Sequence, residues 1–244
     1  MSDFLSSRAA LPIVAAAAAL LGAGATWLVQ RPSSGADIRE YLLTHPEVLP
    51  EAMQKLQERE TAEQSKQTGT FIAANRDRIF PALGSAWSGN PNGDVTVVEY
   101  LDYNCGYCRA SLPILDKLVA SDPKVKVVFR ELPVLSEESK VAARYAVVAA
   151  KQGKYRALHD ALYAGGPLSD ASMDAALRTA GLDPAQTKQA AKAPEVTSII
   201  QNNLAMAAPL GVSGTPTWVI GDKVLSGMLP LETMQAAVAA ARKK

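Results

Sequence analysis

The hydrophobic pattern changes rhythm along the chain and separates it into stretches of different kinds. Leu11 to Val29 is apolar and free of charge over 19 residues. As a helix it would be about 28 Å long, close to a bilayer core. Two readings are open: an uncleaved anchor, or a signal peptide cut near Ala23-Gly24-Ala25, which resembles an A-x-A site. Residues 1–31 are assigned to this segment, and either reading exports the rest of the chain. Arg31 to Gly35 reads as a linker. From Ala36 to Phe80 charges dominate. Ile38 and Leu42 share a helix face, His45-Pro46 and Pro50 interrupt it, and helix is expected again from Glu51 to Gln67. The apolar stripe there, with Met53 and Leu56, is too thin for an independent core. Residues 36–80 therefore read as a helical stalk: either a solvated spacer or an oligomerisation segment that pairs its stripe with other copies.

Residues 84–244 carry the pattern of a globular domain. Trp87 is expected to start a short edge strand. Val95 to Leu101 and Val125 to Phe129 are rich in β-branched residues and read as strands. Between them Leu112, Leu115 and Leu118 mark a helix, which Pro113 is expected to kink. A parallel strand–helix–strand unit is thus closed within about 35 residues. Residues 136–208 read as helical almost throughout, punctuated by Gly153, Gly165-Gly166-Pro167, Gly181 and Pro194, with Ser169 and Asp183 as N-caps. Thr217 to Ile220 and Lys223 to Leu225 form a hairpin about Gly221-Asp222. Pro230 opens a last helix that ends in Arg242, Lys243 and Lys244. The fold class is α/β, with a helical block inserted between the two halves of the sheet.

Composition narrows the chemistry. A net charge of +1 over 244 residues leaves no footprint for nucleic acid. Two histidines and two cysteines are too few for a zinc site within one chain, so no metal is expected. No phosphate loop, G-x-S-x-G or H-E-x-x-H motif is present. The two cysteines, Cys105 and Cys108, are spaced C-x-x-C where a strand hands over to a helix. A helix N-terminus carries unpaired N–H groups and about half a positive charge, which stabilises a thiolate. Cys105 is therefore the expected nucleophile, and Cys108, one turn on, the resolving thiol. The bland alternative is an inert bridge, which would close too short a loop to constrain the unfolded chain much. Gly106 and Tyr107 lie between the cysteines and add only backbone amides and a phenol.

Two further positions gain interest from that pair. Thr215-Pro216 precedes a strand; its proline either opens that strand in the ordinary trans form or makes a cis turn that leaves the Thr215 backbone open to a substrate chain. Glu99 shares a strand face with Val95, Val97 and Leu101, the face expected to be buried. A buried carboxyl there would hold its proton and could exchange it with Cys108; otherwise it is a solvated glutamate on an edge strand. Asp102 reads as a turn residue.

From Trp87 to Ala241 the chain resembles the DsbA-like branch of the thioredoxin superfamily. The likeness rests on the strand leading to Cys105-Gly106-Tyr107-Cys108, the helical insertion, and Gly214-Thr215-Pro216-Thr217 followed by Gly221-Asp222-Lys223. It implies a cis Pro216 facing the cysteines and matches Glu99 to the acidic residue below the active site. It departs from the Cys-Pro-His-Cys of strongly oxidising members. Asp37 to Glu60 is similar to the N-terminal segment of exported proteins of the suppressor-of-copper-sensitivity C type, some of which trimerise and isomerise disulfides. The resemblance implies a periplasmic oxidoreductase that forms, reduces or isomerises disulfides and needs no cofactor. Its substrates would be cysteine-containing exported proteins, and a membrane redox partner would recycle the thiols. A homo-oligomer, a trimer by this likeness, would form through residues 36–80. Two other classes compete: a Cu(I)-binding thiol protein and a chaperone that needs no redox chemistry.

Overall fold

The structure, a computed structural model, describes residues 35–243. The apolar run at 11–29, read as anchor or signal, lies outside them. Among the described residues no helix is long and apolar enough to cross a membrane. The chain divides into two compact units, with the boundary between Glu60 and Thr61.

The first unit contains helix α1 (Gly35–Thr44) and the start of α2 (Val48–Ala74). Pro50 lies in the first turn of α2, where its missing N–H breaks no helical bond. The helix therefore begins before this proline and runs past Gln67, where the sequence had suggested Glu51 to Gln67. Ile38, Tyr41, Leu43, Leu49, Met53 and Leu56 are all exposed.

The second unit is built on a five-stranded sheet in the order β1-β3-β2-β4-β5. The strands are β1 (Trp87–Gly89), β2 (Val95–Leu101), β3 (Val125–Glu131), β4 (Thr217–Ile220) and β5 (Lys223–Ser226). β2 and β3 run parallel, joined by α4 (Gly106–Ser121), and the other pairs are antiparallel. Helix α4 runs unbroken through Pro113. Between β3 and β4 come α5 (Glu137–Lys151), α6 (Tyr155–Ala164), α7 (Asp170–Thr179), α8 (Pro184–Ala190) and α9 (Pro194–Ala207). Ser136, Ser169 and Asp183 cap α5, α7 and α8 with side-chain oxygens that accept backbone N–H bonds. The last helix, α10, covers Leu231–Ala241 after Pro230. At its end Arg242 forks onto Asp94 and Asp122, tying the helix to the ends of the β2–α4 unit.

Both faces of the central strands are buried. One face holds Val97, Leu101, Val127 and Phe129 beneath the inserted helices. The other holds Val98, Tyr100, Val128 and Val219, packed with Met206, Leu210, Ile72 and Ile79. The last two residues come from the end of α2 and from the short α3 (Arg76–Ile79). Residues 61–80, expected in the stalk, thus belong to the core of the second unit. Their apolar positions are sparse among charges, and only the sheet makes them a core.

Arg130 joins this layer to the strands. Its guanidinium is buried and donates to the carbonyls of Arg78, Ile79, Pro81 and Ala82, to Ser85 Oγ and to Asn203 Oδ1, at 2.6–3.3 Å. Removing it would orphan several buried acceptors at once, each costing about 1–3 kcal/mol. The variant Arg130→Met should therefore lose about 3 kcal/mol or more of unfolding free energy in urea titration. An unchanged midpoint would mean that residues 78–85 are held without it.

Candidate active site

The site forms where β2 ends and α4 begins. Cys105 is the N-cap of α4, with extended backbone angles. Its Sγ accepts the Cys108 N–H at 3.3 Å, so the sulfur takes one of the free amide donors of the helix start. The same Sγ lies 3.1 Å from the Thr215 carbonyl oxygen and donates its thiol proton to it. The peptide bond from Thr215 to Pro216 is cis, and Pro216 leads into β4, the neighbour of β2. The pairing of these two strands brings residue 215 to residue 105.

The two thiols differ in their surroundings. Cys108 is almost fully buried. Burial, followed by the charge of Glu99, pushes its thiol well above the ordinary range. Gly106 and Tyr107 face outward; Tyr107 is 68% exposed, and a side chain at 106 would meet no atom within 4 Å. The dipeptide between the cysteines is therefore presented to whatever approaches them.

Glu99 is buried on the core side of β2, as the alternation implied. Among the described residues its Oε2 has no hydrogen-bond partner. Burial, then the charges of Glu131 and Cys105, hold its carboxyl protonated well above the usual range, against the lowering effect of Arg156. Glu131, beyond the strand end at Phe129 that the sequence suggested, lies on the same face and is also buried. Its Oε1 accepts the hydroxyls of Tyr155 at 3.0 Å and Tyr103 at 3.3 Å. Burial raises its carboxyl to about 8, although both hydroxyl bonds lower it. Tyr103 OH also lies 3.1 Å from His159 Nδ1. His159 packs against Phe129, Tyr155 and Tyr163, and burial brings its imidazole down to about 3.

Asp102 is more than the turn residue the sequence suggested. It is buried, and its carboxylate accepts from the backbone N–H of Asn104, Val134 and Leu135 and from Ser139 Oγ, at 2.6–3.0 Å. Its own carbonyl receives the Cys105 N–H and the Tyr163 hydroxyl. One side chain thus ties the loop before Cys105 to the loop before α5. The sequence signal was faint: an acid directly after a strand, with the Ser136 cap of α5 far downstream.

Comparison with known proteins places this arrangement. The model of the DSBA-like thioredoxin domain matches residues 96–239, more than half of the chain. The chain belongs to that family. The model of the Copper resistance protein ScsC N-terminal domain matches residues 35–63. Among solved structures, a thioredoxin-like oxidoreductase from Silicibacter pomeroyi is 43% identical, with a TM-score of 0.67 over 70% of this chain and 99% of the other. The thiol-disulfide exchange protein alpha-DsbA2 from Wolbachia pipientis is 31% identical, with a TM-score of 0.68 over 73% and 97%. The catalytic domain of Proteus mirabilis ScsC is 27% identical, with a TM-score of 0.65 over 72% and 99%. The chain also matches curated proteins named Na(+)/H(+) antiporter NhaA, such as one from Salinispora tropica at 30% identity, but spans only about a quarter of their length.

The buried acids have a consequence for stability. The folded chain keeps the Glu131 proton up to about 8, whereas an ordinary glutamate loses it near 4.5. The stability this proton confers is full at low pH and is lost as pH rises towards 8. His159 acts in the opposite sense below its ordinary value of 6.5, so the window from about pH 6.5 to 8 isolates the acids. Within it the unfolding free energy should fall with rising pH. Glu131→Gln should remove about 1.4 kcal/mol of that fall per pH unit. An identical slope in the variant would contradict a protonated Glu131.

Proposed function

We propose that this chain is a periplasmic thiol–disulfide oxidoreductase acting on cysteines of exported proteins, with isomerase or reductase character rather than that of a dedicated oxidase. One observation carries the reading: Cys105 Sγ caps a helix beside the Thr215 carbonyl, with Cys108 buried directly behind it. In reduction, the Cys105 thiolate attacks one sulfur of a substrate disulfide; that bond breaks, and the other substrate sulfur leaves as a thiolate. Once Glu99 has released its own proton, Cys108 passes its proton to that carboxylate and attacks Cys105 Sγ. The second substrate thiolate leaves, and two electrons have moved from protein to substrate. In oxidation every step reverses, and Glu99 returns the proton to Cys108. In isomerisation a second substrate thiol attacks the mixed disulfide and frees Cys105 with no net transfer of electrons.

The surroundings suit a protein substrate. Thr215, half-buried, offers its backbone at the mouth of the site for an extended chain, and the buried cis Pro216 holds it there. Tyr107, Val134, Leu135 and Met228 are large apolar residues left exposed. Val134 and Leu135 are fastened to Asp102, and Gly227, beside Met228, donates to the Pro216 carbonyl, so all four border the cysteines. They can receive the apolar segments that unfolded exported chains expose.

The isomerase character rests on the stretch before the catalytic unit. It matches the ScsC N-terminal model and exposes six large apolar side chains between Ile38 and Leu56. We take it to pair with further copies, as a trimer by analogy with the ScsC type. Export, by anchor or signal, and recycling by a membrane redox partner complete the proposal. Wild-type protein should unscramble a substrate with mispaired disulfides, and Cys105→Ser should not. Loss of residues 36–60, which spares the core residues Ile72 and Ile79, should reduce the protein to a monomer by sizing and weaken unscrambling. Rapid oxidation without unscrambling would defeat the isomerase part, and a fully active Cys105→Ser would defeat the whole.

A further inference from the structure

Two carboxyls, not one, lie on the sheet face shared with the cysteines. In the parallel β2–β3 ladder Glu99 stands opposite Phe129, and Leu101 opposite Glu131. Side chains two apart on a strand share a face. Glu99 and Glu131 are therefore diagonal neighbours on a face whose other members are apolar. Each is about 2% exposed, and among the described residues each leaves its Oε2 without a partner. Glu131 Oε1 is clamped by Tyr103 and Tyr155. A hydroxyl has one proton to give, so Tyr103, donating to Glu131, accepts from His159 Nδ1.

Among the described residues no cation bonds to either acid. Arg130 adjoins Glu131 in sequence but projects from the opposite face, where its six acceptors hold it. Arg156 is engaged by Asp116 and Asp160. Two neighbouring carboxylates in such surroundings cannot both ionise cheaply.

We propose that Glu131, clamped by Tyr103 and Tyr155, governs proton transfer between Glu99 and Cys108 through its own charge. This rests on the exchange reading above. Glu131 touches no reacting sulfur; it acts through Glu99 and is a positioning residue. When Glu131 is charged, Glu99 keeps its proton and can only donate to Cys108 as that sulfur leaves the disulfide. When Glu131 is neutral, Glu99 can lose its proton and accept one from Cys108 before the disulfide closes. The titratable or charged groups facing the pair are Asp102 and Tyr103 in the loop after β2, Cys105 and Cys108 on α4, and Tyr155, Arg156, His159 and Tyr163 on α6. Repulsion by Glu131 is the largest influence on Glu99 after burial itself.

The test is a single turnover on the full chain. A mixed disulfide is made between Cys105 and glutathione, and its release by Cys108 is followed from about pH 6 to about pH 10. Release should quicken with pH. In Glu131→Gln, an isosteric change, the rising limb should move down by about half a pH unit or more, about threefold in rate along the limb. Glu131→Asp, which restores a carboxyl, should return the limb towards wild type. Infrared titration of protonated carboxyls gives a reading independent of turnover. Two should titrate above the usual glutamate range in wild type, and one, at lower pH, in Glu131→Gln. Tyr155→Phe, lacking a hydroxyl bond that favours ionised Glu131, should move the first titration up. Superimposable release limbs in wild type and Glu131→Gln would overturn this role and leave exchange standing. Wild-type protein that never releases glutathione would overturn the exchange reading and this role with it.

Discussion

The site depends on one sulfur held between a helix start and a distant carbonyl. Cys105 Sγ takes the Cys108 amide from α4 and faces Thr215, which is 110 residues away in sequence. The second contact joins segments far apart in sequence, and the first, though local, is held by ties to a distant loop. The first needs the strand-to-helix turn that Asp102 fastens to the α5 loop. The second needs β4 to cross the helical insertion and pair with β2. The buried sheet is therefore a condition of the chemistry and more than its scaffold.

The same burial sets the behaviour of the protons. An apolar face that excludes water keeps the Cys108 thiol and the acids beneath it neutral. A neutral thiol is a poor nucleophile. On the proposed mechanism the two cysteines take unequal parts: Cys105 meets the substrate at the helix start, and Cys108 needs a proton acceptor before it can react. Family membership and the helix-capped pair point the same way, and large apolar residues lie exposed beside them.

Much of this was legible in the sequence. The C-x-x-C at a strand end follows from local pattern, alternation favoured a buried Glu99, and the cis turn at Thr215-Pro216 was implied by the family resemblance. What escaped was set by contacts between distant segments. Glu131 and Arg130 sit next to each other where the strand seemed to end. Alternation sends one towards Tyr103 and Tyr155 and the other into a cage of carbonyls, and the partners of both lie dozens of residues away. Ile72 and Ile79 looked like part of a charged stalk because the sheet face they cover is specified elsewhere. Asp102 had the look of a turn residue because three of its four donors come from the loop after β3 and from α5.

The most direct test removes the resolving thiol and asks where a substrate stays attached. A Cys108→Ser protein mixed with a protein carrying a disulfide should accumulate a covalent mixed disulfide, and peptide mapping should place it on Cys105 alone. A Cys108→Ser protein that forms no adduct under those conditions, or that turns over as fast as wild type, would contradict the account.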